Sequence, residues 1–595
     1  MQAAMDRLDG FTRRHGKLVA LAWLILLVAA VPFAARQTEH LTSGGFEVPG
    51  SGSQAVERGL SAFDGAQRSQ LAVVLARRPG SSDADVQAAI ERVRRAAAKT
   101  DHVALQETAA AAAAGQARRS TIAVVPLKLS GTQDDAANAA SDLRKALKVG
   151  TKQPVELHLV GQQALWAGMQ DLAKHDLQQA ETVGFPIVLL ILLAVFGSLA
   201  AAALPLALGA ASVAITGAAI FFLSQATQMS VFVTNIASMI GIGVAVDYSL
   251  FVLARYREEI AAGATREEAR RTAMRTSGIA VAFSGVTVMV ALAGLFLIDT
   301  ATIRSMAMGA IVVVAVSVLA ATTLLPALMS MFGRRAYARG RTAIVGGLVF
   351  RGLRNMRRRP GSTHPSRERA PFWERWAERV MRHPVIAAGL SAALLLALAV
   401  PALSLQFGDG ALRQFPKGNE TRVGAELAAK ATSPGAAGPT QVLVTFDRGK
   451  ADSAALDRYA AGLRHDPEAA AVSKPRLAGD AGLIVVTARH DPESPAARAL
   501  VGRLRAGEVA GAHVDVGGST AQVEDFKDLV SGSMWKILLF VLAFSYLVLL
   551  VLLRSVLLPL KAVLVNLLSV GAAYGVLVTV FQWGWFDSLL GFHHL

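Results

Sequence analysis

From Thr182 to Val246 the chain runs for 65 residues without an Asp, Glu, Lys or Arg. A lipid bilayer asks for about 20 predominantly apolar residues for each helix that crosses it. The block therefore holds three consecutive spanning helices, with natural breaks at Phe196-Gly197-Ser198 and at Leu223–Gln228. The same criterion along the rest of the chain gives nine spans: Leu18–Ala35, Thr182–Phe196, Ala201–Leu223, Val231–Leu253, Gly278–Ile298, Ser305–Phe332, Pro384–Leu405, Ile537–Leu553 and Ala562–Phe581. The second is short by itself and is expected to extend back toward Gln178, continuing a helix that leaves the preceding segment. Leu18–Ala35 is too long for the apolar stretch of a signal peptide and counts as a span.

Positive charge orients the spans. The N-terminus carries Arg7, Arg13, Arg14 and Lys17, residues 254–277 carry six arginines, and residues 333–383 carry fourteen. All three fall on one side if the N-terminus is cytoplasmic. Residues 36–177 and 406–534 then lie outside. The net charge of +16 is accounted for by this clustering beside the spans, so no nucleic-acid partner is inferred. Arg304, Lys536 and Lys561 stand at span ends, where long basic side chains reach the interface. Arg357-Arg358-Arg359 reads either as a site for anionic membrane lipids or, more simply, as part of the orientation signal. The helix around Phe372–Met381, with Trp373 and Trp376, suits the membrane interface.

Each outside segment alternates strand and helix periodicities. In the first, Leu71–Leu75, Ile122–Leu129 and Val155–Val160 read as strands, with helices at about 83–99 and 134–147. In the second, Gln441–Phe446, Leu483–Ala488 and Ala512–Val516 are strands, with helices near 451–464 and 494–506. The expected fold is a mainly α-helical membrane protein with two extracytoplasmic α/β domains of βαβ type. Its parts are 1–35 with the first span, 36–177 outside, 178–332 with the second to sixth spans, a basic loop 333–383, the seventh span 384–405, 406–534 outside, and 535–595 with the last two spans.

The two halves are copies. Ser69–Leu75 parallels Thr440–Phe446, Arg14-His15-Gly16 parallels Arg382-His383-Pro384, Val31-Pro32 parallels Val400-Pro401, and Phe196-Gly197-Ser198 parallels Leu553-Arg554-Ser555. The offsets are 371, 368, 369 and 357 residues. Repeats of this kind are a common transporter architecture. The first copy has six spans and the second three, so a chain truncated by about three helices is expected.

Asp247 carries the chemistry. It lies about two thirds of the way along the fourth span, where an acid costs roughly 2.5–3.5 kcal/mol on insertion scales. Burial disfavours its charged form and brings proton exchange toward physiological pH. Its alternative role is interhelical glue that never titrates. Tyr248 points about 100° away from it. Gly243, Asp247 and Phe251 share one face at one-turn spacing, and Gly243 leaves room for a second helix against the acid. Ala237, Gly241 and Ala245 form a small-residue stripe that permits close helix approach. Ser284 and Thr287 in the fifth span offer further hydroxyls, although hydroxyls in spans often satisfy their own helix backbone.

The run Gly241-Ile-Gly-Val-Ala-Val-Asp-Tyr-Ser-Leu-Phe-Val-Leu-Ala-Arg-Tyr-Arg-Glu-Glu259, followed by Thr276-Ser-Gly-Ile-Ala-Val-Ala-Phe-Ser-Gly-Val-Thr-Val288, closely resembles the MmpL family of the resistance-nodulation-division superfamily. Gly44-Gly-Phe-Glu-Val-Pro-Gly50 is also similar to that family's sequence. The resemblance covers essentially the whole chain. It implies a non-enzymatic exporter in the cytoplasmic (inner) membrane, moving lipids or other hydrophobic molecules at the expense of inward proton flow. It also implies that an Asp-Tyr pair of the fourth span meets a matching pair of a tenth. Asp247 and Tyr248 match the first pair, Ser284 a polar position lining the same site and Phe251 an apolar one. Two other functions fit the same fold: a non-transporting receptor or export accessory factor, and an inactive fragment.

No cofactor is expected. The chain has no cysteine, which excludes disulfides and thiolate metal sites. His593-His594 is a lone terminal pair, the glycines at 241 and 243 lie inside a span, and no Walker-type loop is present.

Overall fold

The structure, a computed structural model, describes all residues except 1, 43, 64–70, 132, 152, 197, 333–371, 406–411, 413–414, 417, 448 and 587–595. Among the described residues, nine helices are long and apolar enough to cross a membrane, matching the nine expected from sequence. The first is Gly16–Ala35, the fourth Phe232–Ala261, the fifth Arg266–Leu297, the sixth Ala301–Met331, the seventh Pro384–Ser404 and the ninth Leu557–Gln582. The second and eighth are single helices of 35 residues, Gln162–Phe196 and Ser519–Leu553. At 1.5 Å per residue each is about 52 Å long, well beyond a bilayer core of about 30 Å. Each has turns to spare, and its N-terminal end follows directly on the last strand of one of the two sheets described below. Both ends repeat with the 357-residue offset read from the sequence. Arg357–Arg359, His593 and His594 lie outside the described residues.

The third (Ala201–Ala226), fourth and sixth spans form the packed centre, while the seventh and eighth present most of their surface outward. Small residues set this packing. A Cβ at Gly241 would run into Val313 of the sixth span and sit 3.1 Å from Val213 of the third. Ala237 and Ala245, one turn to either side, are buried too. The expected stripe thus faces two helices at once, and close backbone approach brings the gain in dispersion.

An N-terminal helix (Gln2–Arg14) precedes the first span. It is tied to residues 254–277 by ion pairs: buried Arg270 donates to Asp9 at 3.0 Å, Arg275 faces Asp6 at 3.4 Å, and Arg13 pairs with Glu267. These two basic segments share one end of the bundle, as the charge bias predicts.

The strands are β1 (Leu41–Thr42), β2 (Leu71–Arg77), β3 (Val103–Leu105), β4 (Ile122–Leu129), β5 (Val155–Val160), β6 (Met229–Ser230), β7 (Thr440–Phe446), β8 (Ala469–Val472), β9 (Arg476–Ala478), β10 (Ala481–Ala488) and β11 (Ala512–Gly517). The first of the two larger sheets runs β3-β4-β2-β5 and the second β8-β10-β7-β11, with β9 also on β10. Every pairing within these two sheets is antiparallel. Each βαβ unit is accordingly split: β2 and β3 run parallel with β4 between them, and β7 and β8 run parallel with β10 between them. The duplication inferred from four short matches therefore extends to the topology of the two sheets.

The central strands bury both faces. Leu71, Val73 and Leu75 face helices of their own domain, while Val74 faces the other way, toward Leu427 and Ala428. Those two residues belong to a helix of the second half, Glu420–Ala431. The arrangement is reciprocal. In the second sheet, Val442, Val444 and Phe446 face their own helices, whereas Leu443 packs with Val56, Leu60 and Phe63 of the first half. Each half thus lends a short helix to cover the open sheet of the other. Cover on both sides explains why β2 and β7 read as nearly continuous apolar runs.

Candidate functional site

Asp247 lies near the midpoint of the fourth span, because the helix continues past Leu253 to Ala261. Its last turns are polar but held by Arg255, which pairs with Glu258 and Glu259. Asp247 is exposed, together with Gly243 and Phe251 on the same face. Nothing stands within 4 Å of where a Cβ on Gly243 would be. The face is open because the third and sixth spans occupy the Gly241 side of the helix. Room for a second helix is present; the helix is not packed there.

Tyr248 points to a different side and is buried in a cluster formed by the second to sixth spans. A Cβ on Gly285 of the fifth span would sit 3.7 Å from its Oη. The roughly 100° between adjacent helix residues thus separates an acid on the open face from a phenol in the packed one. Ser284 is exposed. Thr287 donates to the Phe283 carbonyl at 3.0 Å, satisfying its own helix. A π-helical turn at Met274–Gly278 precedes both; such turns recur at functional sites.

Sequence reasoning missed a second feature. Where the long second and eighth helices leave the sheet domains, they enclose a cavity of about 360 Å³. Its walls are mainly apolar: Phe46, Leu165, Trp166, Met169, Val523 and Phe526. The Phe46 ring stacks on Trp166 with centroids 4.8 Å apart and meets Phe526 edge-on at 5.4 Å. Polar groups are few. Gln162 donates to Gln522 at 2.5 Å across the cavity wall. Arg498 and Glu524 are 3.7 Å apart behind it, and Asp491 and Glu493 complete the polar side. The lining draws on segments over 300 residues apart, so no local motif could reveal it. The signal available in sequence was Phe46 itself, in the glycine-rich segment after the first span. No group of three or more His, Cys, Asp or Glu able to hold a metal occurs among the described residues.

A duplicated helical bundle with a mid-span acid and two split-βαβ domains defines a multi-pass membrane protein of the resistance-nodulation-division type. Residues 49–387 and 440–589 match the MMPL family, and the chain belongs to it. The heme uptake protein MmpL11 of Mycobacterium tuberculosis is 43% identical over 602 residues, covering 98% of this chain and 60% of that protein. The mycolic acid-containing lipids exporter MmpL11 of Mycolicibacterium smegmatis is 41% identical over 608 residues, with 98% and 61% covered. The trehalose monomycolate exporter MmpL3 of the same species is 26% identical over 462 residues, with 73% and 45% covered. The chain thus spans about 60% of the length of its MmpL11 relatives. These relatives are named as transport proteins, which accords with a non-enzymatic role.

Proposed function

We propose that the chain serves in an exporter that moves lipids or other hydrophobic molecules out across the cytoplasmic membrane, driven by inward proton flow. The carrying observation is the presence of a mid-span acid together with an apolar cavity where the second and eighth helices leave the sheet domains. Asp247 takes up and releases the proton. Tyr248 and Ser284 complete the relay, and Gly241, Gly243 and Phe251 shape the packing around it. The open face at Asp247 receives the helix that carries the matching polar pair. One proton moving down 100 mV supplies about 2.3 kcal/mol, enough for a modest uphill step. The N-terminal helix and residues 254–277, basic and joined by ion pairs, lie on the cytoplasmic side; the two sheets lie outside.

The cavity suits an amphiphile. Aromatic and aliphatic walls take a chain, and the Gln162–Gln522 edge takes a polar group. The name of one relative motivates a second reading, with haem as the cargo. Competition between haem and a long-chain lipid for the cavity separates the two.

The test uses the whole protein in proteoliposomes with an imposed pH gradient. Asp247→Asn is expected to lower proton-linked lipid movement by at least about 100-fold, the scale on which removal of a proton-transfer group acts, while leaving folding intact. Undiminished proton-linked export by that variant would overturn the relay.

A further inference from the structure

We infer that Phe46 is a positioning residue that ties the cavity wall to the outer end of the fourth span, so that a shift of that helix reshapes the cavity. The inference rests on the exporter reading above and concerns how its two sites communicate.

Leu41, Thr42, Gly44 and Gly45 form a strap that leads to Phe46 and is held by hydrogen bonds on both sides. Leu41 and Thr42 pair in parallel with Met229 and Ser230, and the Val231 amide donates to the Thr42 carbonyl at 2.9 Å. Met229–Val231 leads directly into the fourth span at Phe232. The other edge of the strap is held by the sixth span. The Thr302 amide donates to the Gly45 carbonyl at 3.0 Å, and its hydroxyl to the Gly44 carbonyl at 3.1 Å. Ser305 accepts from the Ser230 amide at 3.1 Å, joining the two spans beneath the strap. Gly45 has φ +89, and a Cβ there would sit 2.9 Å from the Thr302 hydroxyl oxygen. Only glycine allows both that turn and that approach.

The strap delivers Phe46 among three aromatic side chains from three helices. It stacks on Trp166, meets Phe526 edge-on, and meets Phe232 edge-on at 5.8 Å. Trp166 and Phe526 line the cavity with it, and Phe232 opens the fourth span. Asp247 lies fifteen residues along the same helix, about 22 Å away at 1.5 Å per residue. A helix is stiff over that length. A displacement that follows the charge state of Asp247 therefore reaches Phe232, and through it the ring that forms a cavity wall. Coupling of this kind needs a physical element that both sites bias, and the strap with its aromatic cluster supplies one.

The experiment is a mutant cycle read by binding of dansyl-labelled undecanoic acid to the purified chain in detergent. In the otherwise native chain, Asp247→Asn is expected to change probe affinity about five-fold or more, the scale of ordinary coupling between sites. Phe232→Leu keeps an apolar side chain outside the cavity lining and retains binding, but cuts the Asp247→Asn response to less than about two-fold, near the additivity limit. Thr302→Val, which removes only the hydroxyl bond to Gly44, weakens the response by a second route should Phe232→Leu disturb folding. A full Asp247→Asn response in both backgrounds overturns the role of Phe46. A probe that fails to bind the native chain, or binds without responding to Asp247→Asn, overturns the cavity-and-relay reading itself and this inference with it.

Discussion

Glu420 sits at the seam between the two halves, at the start of the helix that the second half lends to the first. Its carboxylate accepts from Arg144 at 2.6 Å and from the Leu159 amide at 2.8 Å. Burial nevertheless pushes the carboxyl above its ordinary value of 4.5, outweighing Arg144, the Leu159 amide and nearby His158. The folded state then holds this proton more tightly than the unfolded state does. Its contribution to stability is full below the ordinary carboxyl range and is lost as pH rises through the raised value. Melting temperature measured against pH should show that decline, and Glu420→Gln should flatten it; an unchanged slope would show that the carboxyl keeps its proton affinity on docking. The residue scale also shows what sequence conveys about a site. Asp247 was legible because a bare acid in a span is costly and so conspicuous. Its exposure was not, since the side of a helix that stays open depends on which neighbours pack against the other side. Glu420 gave no signal, because a carboxylate in a soluble segment is ordinary until a sheet from the other half covers it.

At the scale of elements, all nine spans were legible because bilayer thickness imposes a length and a composition that few other structures share. The strands β3, β8 and β9 were not. They are three or four residues long, too short for a period of two to register. The contact between the seventh and ninth spans was written in the sequence as Gly571-Ala-Ala-Tyr-Gly575, two glycines one turn apart. A Cβ at Gly571 would lie 3.4 Å from Ala399, and one at Gly575 would run into the Leu398 carbonyl oxygen. Because that obstacle is backbone, no rotamer change relieves it. Gly575→Ala is expected to cost on the order of 1–3 kcal/mol, as overpacking does, and to lower the melting temperature of the purified protein. Gly184→Ala, on a helix face with nothing within 4 Å, serves as the control and should leave the melting temperature unchanged or raised. The amphipathic helix Phe372–Arg382 is present as expected, with Trp376, Val380 and Met381 exposed.

For the whole molecule, duplication was legible from four short matches, but the exchange of helices between halves was not. A loan of Gly52–Gly59 in one direction and Glu420–Ala431 in the other depends on contacts between residues more than 300 positions apart. It predicts mutual dependence. Residues 1–383 and 384–595 produced as separate chains should copurify when expressed together, and each should be more sensitive to proteolysis when expressed alone. Equal protease resistance of the lone and paired halves would mean that the borrowed helices contribute little. The exchange also limits what kind of motion can serve transport. Were the two outside domains to part like jaws, each would strip the roof from the other, baring Val74 on one side and Leu443 on the other to water. In the exporter proposed above, gating would then proceed while both loans stay in place, within a clasp that does not open.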